Sequence, residues 1–289
     1  MKGSVSVELL KAVRKGVKSL PRETFDVMKS YVLSRMEENS SFMGKVPGGD
    51  IYYTAFGWLL SSCFSIMPDN RRMTAYLGSI DPYSLDLVHY ASFVKCSMIS
   101  KVGDGGMISL LKAAISRTPA REKESFSSFP GGDPDCPYTQ FMMINISQDC
   151  FGATLNSSEV LSALEGYRTD EGTFSGVKGG STPSVQATCC ALVVKGYLEG
   201  FRREDAEGLR MMQDPTGGFK ANPGAPVPDL LSTAVALFTL SLYGEEPLYD
   251  PYPFIEAHLD DSGTFIPTVL DGEGDIEYLF YGLLALGSI

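Results

Sequence analysis

The sequence predicts an all-α fold, six helical hairpins closed into an (α/α)6 toroid, as a single domain over residues 1–289. Three observations predict it. A pattern recurs about every 45 residues along nearly the whole chain. Glycine and proline fall mostly at the joints between apolar helical segments. The period-two alternation of a half-buried strand is sustained nowhere.

The repeat is clearest where Gly217-Gly218-Phe219 and Pro228-Asp229-Leu230-Leu231-Ser232-Thr233-Ala234 follow Gly172-Thr173-Phe174 and Pro183-Ser184-Val185-Gln186-Ala187-Thr188-Cys189 at a constant offset of 45. Gly263-Thr264-Phe265 with Asp275-Ile276-Glu277-Tyr278 continues it, and Phe42-Met43-Gly44-Lys45 with Asp50-Ile51-Tyr52-Tyr53-Thr54 begins it. Asp86-Leu87-Val88-His89 and Asp135-Cys136-Pro137-Tyr138-Thr139 are weaker copies. A unit of two helices cannot bury its apolar face alone, so units must stack.

The elements follow in order. An extra helix is expected at about 5–20, followed by first helices at 23–38, 105–116, 157–167, 203–213 and 251–259. Glycine at each turn tolerates the left-handed conformation that ends a helix. Second helices are expected to start at Asp50, Asp86, Asp135, Ser184, Asp229 and Asp275. Proline and an early carboxylate both suit a helix N-terminus. The apolar tail Leu283-Leu284-Ala285-Leu286 favours closure of the last unit on the first over a polar end cap.

A net charge of −11 argues against a nucleic-acid partner, which wants a basic footprint. Six cysteines without a C-x-x-C pair read as free thiols of a cytoplasmic protein. Residues 51–68 carry no charge but contain serines, tyrosines and a glycine, so a helix buried all round is expected there and not a membrane span.

At its turns the sequence resembles the repeat of protein prenyltransferase β subunits and squalene cyclases, from about residue 23 to 289. The resemblance implies a barrel of second helices, an outer ring of first helices, and a central funnel for an isoprenoid or another apolar ligand. It also implies a peptide or helical partner protein, since such β subunits pair with an α subunit. The resemblance would place zinc ligands where Ser184, Gln186 and Ser232 stand, and none of these is a competent ligand. Asp50, Tyr52 and His89 form only a partial set. The expectation is therefore no metal and no cofactor, with prenyl transfer, if any, by a route without zinc. The family places basic residues after the glycine-aromatic pair, where Lys45, Lys178 and Lys220 fall. These are a diphosphate clamp or simply solvated loop lysines.

The cyclase branch protonates an alkene from a D-x-D-D motif. Asp133-Pro134-Asp135-Cys136 lacks its last acid, and Asp275-Ile276-Glu277 supplies another acid pair at the same height. Asp275, Glu277, Asp50 and His89 are thus the candidate catalytic residues, and N-capping is the plainer role of the helix-start acids. Three residues past the helix starts, Tyr53, Tyr138, Tyr278 and Ser232 are expected to line the funnel, with Gln186 beside them. Gly57, Ala191, Ala236 and Gly282 are expected to floor it. Three functions stand together: an isoprenoid enzyme of the prenyltransferase type, a terpene cyclase-like enzyme, and a non-catalytic binding or interaction scaffold.

Overall fold

The computed structural model describes residues 3–82, 84–100, 133–151 and 157–289. The described residues are helical, joined by turns and a few isolated antiparallel bridges. Helix α1 is Val5–Ser19. Five hairpins then contribute α2 (Arg22–Ser34) with α3 (Ile51–Cys63), α4 (Asn70–Gly78) with α5 (Leu87–Ser100), α7 (Ser157–Glu165) with α8 (Val185–Glu199), α9 (Glu207–Arg210) with α10 (Leu230–Tyr243), and α11 (Tyr252–Ala257) with α12 (Ile276–Ser288). Helix α6 (Pro137–Phe151) stands between α5 and α7. Its expected partner at 105–116 lies outside the described residues.

The second helices touch in sequence: α3 with α5, α5 with α6, α6 with α8, α8 with α10, α10 with α12, and α12 with α3. They are apolar almost all round; α10 buries 11 of its 14 residues, as a helix packed on every side must.

The start of each second helix is built alike. A residue in extended conformation caps it, and its side-chain oxygen accepts from an amide of the first turn: Asp50 from Tyr52 at 2.7 Å, Asp229 from Ser232 at 2.7 Å, and Asp275 from Glu277 at 3.0 Å. Ser184 and Asp86 do the same. The third helix departs from expectation. Its cap is Cys136 and not Asp135: the Thr139 amide donates to Cys136 Sγ at 3.4 Å, and the Gln140 amide to the Cys136 carbonyl. The preceding turn also repeats. Phe42, Phe174, Phe219 and Phe265 are buried and bridged to the chain before them. In three units a threonine four residues past the cap braces that turn: Thr54, Thr188 and Thr233 each accept the phenylalanine amide at 2.9 Å. Two residues before each phenylalanine the backbone is left-handed, at Gly172 (φ 75°), Gly217 (φ 92°), Gly263 (φ 85°) and Ser40 (φ 66°).

Helix α1 has no counterpart in the repeat. It packs along α12 and touches α3 and α6. Contact with α12 is backbone to backbone, because a Cβ on Gly16 would overlap the Leu283 carbonyl and one on Gly287 the Ala12 carbonyl. At its N-terminus, Ser4 and Ser6 donate to the Asp149 carboxylate at 2.9 and 2.6 Å, and Tyr197 donates to the Gly3 carbonyl. A carboxylate at a helix N-terminus is favoured by the helix dipole. Helix α1 therefore lies across the C-terminal ends of several second helices.

Candidate functional site

The caps of α3, α5 and α12 lie at one level, and side chains of the first turns meet there. The Tyr52 hydroxyl donates to Glu277 Oε1 at 2.5 Å, across 225 residues of sequence. His89 contacts Asp86 Oδ1 through Nδ1 at 2.8 Å and Asp50 Oδ2 through Nε2 at 3.6 Å. The Asp86 carboxyl is held below the usual range: burial pushes it up, and the His89 amide and ring outweigh this. Asp50, His89, Asp275 and Glu277 therefore share one end of the helix assembly.

Glu277 sits in an aromatic surround. The Tyr52 ring lies 5.1 Å from Phe56, and Phe56 lies 6.0 Å from Tyr281. Burial raises the Glu277 carboxyl from 4.5 to about 7; the Tyr52 hydroxyl opposes this and the Asp275 charge adds to it. Asp275 is likewise raised by burial, against the two amides it caps. Burial also pushes up Tyr52 and Tyr138, and Tyr278 to about 12.

The surface pattern identifies which face is accessible in five of the six second helices. Two and six residues past the caps come Tyr52 and Phe56, Tyr138 and Met142, Gln186 and Cys190, Leu231 and Val235, and Glu277 and Tyr281, all of which keep some accessible surface. Cys190 and Tyr281 keep it although burial pushes both groups well above their ordinary pKa values. Tyr138, at 43 % exposure, belongs to this row because Cys136 caps its helix.

The row three and seven past the caps behaves differently from expectation. Ala191 and Ala236 are fully buried, and Gly57 and Gly282 are small because the rings of Phe42 and Phe265 press on them. Gly57 and Gly282 receive the loop aromatics, and none of the four floors an accessible space. Tyr53 lies over Gly44, and Tyr278 lies 6.5 Å from Tyr281. Ser232 is buried and donates to Asp229 Oδ2 at 2.7 Å, inside its own cap, whereas Gln186 is exposed. The three turn lysines each meet an acid: Lys45 with Asp271 at 3.3 Å, Lys178 with Asp135 at 3.2 Å, and Lys220 with Asp214 at 3.8 Å.

The sequence reading missed Phe56, Tyr281 and the second row as a whole. The usable signal was the two-past-cap position itself, where Tyr52, Tyr138, Gln186 and Glu277 are the large polar-tipped side chains.

No protein-family model and no curated protein matches the chain. Solved structures do. A protein from Actinoplanes aligns with a TM-score of 0.54 at 12% identity, over 92% of this chain and 97% of that one. The type II terpene cyclase MstE from Scytonema aligns with a TM-score of 0.54 at 13% identity, over 95% of this chain and 97% of that one. A variant of that cyclase, in complex with geranylgeranyl dihydroxybenzoate as substrate, aligns with a TM-score of 0.52 at 12% identity, over 98% and 97%. At such identities the likeness is one of fold: this chain shares the helical architecture of a type II terpene cyclase.

Proposed function

We propose that the chain is a closed toroid of six helical hairpins that takes an isoprenoid in its central space and cyclises it by protonation from Glu277. Closure is supported by the contact of α12 with α3 and by the Tyr52–Glu277 hydrogen bond between the same two helices. The observation that carries the chemistry is a carboxyl held near 7 inside an aromatic wall. An ordinary glutamate is ionised at neutral pH, whereas one with a pKa near 7 keeps its proton in about half the molecules. Tyr52 occupies Oε1 as a donor, which leaves Oε2 to carry the acidic proton.

The step balances simply. The Oε2 proton adds to a terminal alkene, and the adjacent carbon becomes cationic. The π electrons of a second alkene close a ring onto that carbon. The final cation sheds a proton to water, and Glu277 is reprotonated from solvent. Faces of Tyr52, Phe56 and Tyr281 offer cation–π stabilisation along the way. His89, Asp50 and Asp86 hold the rim beside Tyr52, whose ring lies 6.3 Å from that of His89. Prenyl transfer from a diphosphate has weaker support, because Lys45, Lys178 and Lys220 are each engaged by an acid. The substrate of the structurally similar cyclase supports the isoprenoid class.

The test is incubation with farnesoic acid and with geranylgeranyl dihydroxybenzoate in D2O. A product with one ring more, one alkene fewer and deuterium on carbon is expected. Glu277→Gln should lower turnover by roughly 10²–10⁴-fold, the usual worth of a general acid, while binding persists. Binding without any product by the unmodified protein would leave a non-catalytic isoprenoid carrier as the function.

A further inference from the structure

We infer that the space between the second helices ends in a second polar site, formed by Lys95 and Asn145, that receives the carboxylate of an isoprenoid acid. This deepens the reading above and rests on it. Lys95 lies on α5 nine residues past its cap Asp86, and Asn145 lies on the adjacent α6 nine residues past its cap Cys136. They therefore stand at one depth on neighbouring helices. Lys95 shares a helix face with Val88, two past the cap, because residues seven apart complete two turns.

Both side chains lack what their chemistry requires. Lys95 is half-buried, and among the described residues its Nζ makes no hydrogen bond or ion pair. Burial pulls its pKa down and the Asp149 charge opposes this. That carboxylate is already taken by Ser4 and Ser6 of α1. Asn145 is 6 % exposed, its amide nitrogen donates to the Phe141 carbonyl at 2.9 Å, and its Oδ1 is buried without a partner. Asn145 Oδ1 is a buried acceptor without a donor, which costs roughly 1–3 kcal/mol, and with the Lys95 ammonium unpaired at the same level it points to a missing third group. A carboxylate satisfies both: it draws the ammonium, whose three N–H donors serve the ligand and Asn145 Oδ1 together.

The charge layout sets the ligand's orientation. The cap end carries Asp50, Asp86, Asp275 and Glu277 and repels an anion, while the inner end carries Lys95 with one acid, Asp149, whose carboxylate Ser4 and Ser6 already engage. Glu277 stands two residues past its cap and Lys95 nine, so they are about 10 Å apart along the helix axes at 1.5 Å per residue. A folded fifteen-carbon acid spans this distance, with its carboxylate at Lys95 and its terminal alkene at Glu277.

Calorimetry on the full chain with farnesoic acid and farnesol tests this. The acid should bind at least tenfold tighter than the alcohol. Lys95→Met should abolish that preference by weakening the acid alone, and Asn145→Leu should reduce it. Lys95→Met should also raise the thermal midpoint of the free protein, since it removes a desolvated amine, which separates the effect from misfolding. Equal affinities for the two compounds, or equal weakening of both by Lys95→Met, would overturn the Lys95 site while leaving the isoprenoid reading in place. Binding of neither compound would overturn both.

Discussion

Glu277 carries two demands in one side chain. As the proposed acid it needs a proton near neutral pH, and as a buried group it resists ionisation. The linkage has a definite sign. Its folded pKa, about 7, lies above its ordinary 4.5, so between these values the folded state binds more protons than the unfolded one. Unfolding free energy therefore falls as pH rises through that window, then levels off above about 7. Glu277→Gln removes the titration. The stability of Glu277→Gln relative to the unmodified protein should thus climb from pH 4.5 to pH 7 by roughly 2 kcal/mol, the full linkage reduced for the accessible surface the group keeps. Chemical denaturation at pH 4.5, 6 and 8 reads this directly, and a flat difference would mean that Glu277 titrates as an ordinary surface acid. Cap positions such as Asp275 were legible as residues because capping is local chemistry. The raised carboxyl of Glu277 was legible only as an acid in the right place, since its environment comes from Tyr52, Phe56 and Tyr281, brought up by tertiary structure.

At the scale of elements, the repeat was readable because each turn uses the same parts. A left-handed residue, a buried phenylalanine and a capping side chain recur at fixed spacing. Two elements escaped for physical reasons. Helix α4, Asn70–Gly78, precedes the unit that lacks the glycine-aromatic turn, so no signal marked its end. In the α6 unit a cysteine caps the helix, an uncommon choice, and the acid one residue earlier took its place in the reading. The inward face of the second helices was displaced by one residue for a related reason: a helix apolar all round carries no stripe to say which side faces in. The length of α1 was legible, but its position was not, because it stands outside the repeat. Its docking on α12 relies on Gly16 and Gly287, where the backbones approach too closely for any side chain. Gly287→Val should lift α1 from α12 and cost about 1–3 kcal/mol or more, the usual effect of overpacking. Hydrogen exchange should then rise along Val5–Ser19 while α8 and α10 stay protected; unchanged protection of α1 would contradict the close approach.

The whole molecule joins its two ends through the site itself. Tyr52 on α3 and Glu277 on α12 belong to the first and last hairpins, and the Lys45–Asp271 pair spans the same seam from the turns above. The meeting of first and last units thus brings the acid to its hydrogen-bond donor, and neither half-site exists in one repeat alone. The terminal apolar segment in the sequence pointed to such a meeting, but not to a hydrogen bond across it. This dependence has a measurable sign. The Tyr52 hydroxyl favours the ionised carboxylate, while burial and the Asp275 charge favour the neutral acid. Tyr52→Phe removes the only one of these three influences that lowers the pKa and keeps the aromatic ring. The Glu277 carboxyl should therefore move above 7, and the pH at which cyclisation activity is half lost should move up with it. The weaker acid should also transfer its proton more slowly at low pH, where it is fully protonated in either form. A pH–rate profile of Tyr52→Phe that shifts downward, or does not shift at all, would mean that the hydrogen bond across the seam does not set the acid strength of Glu277.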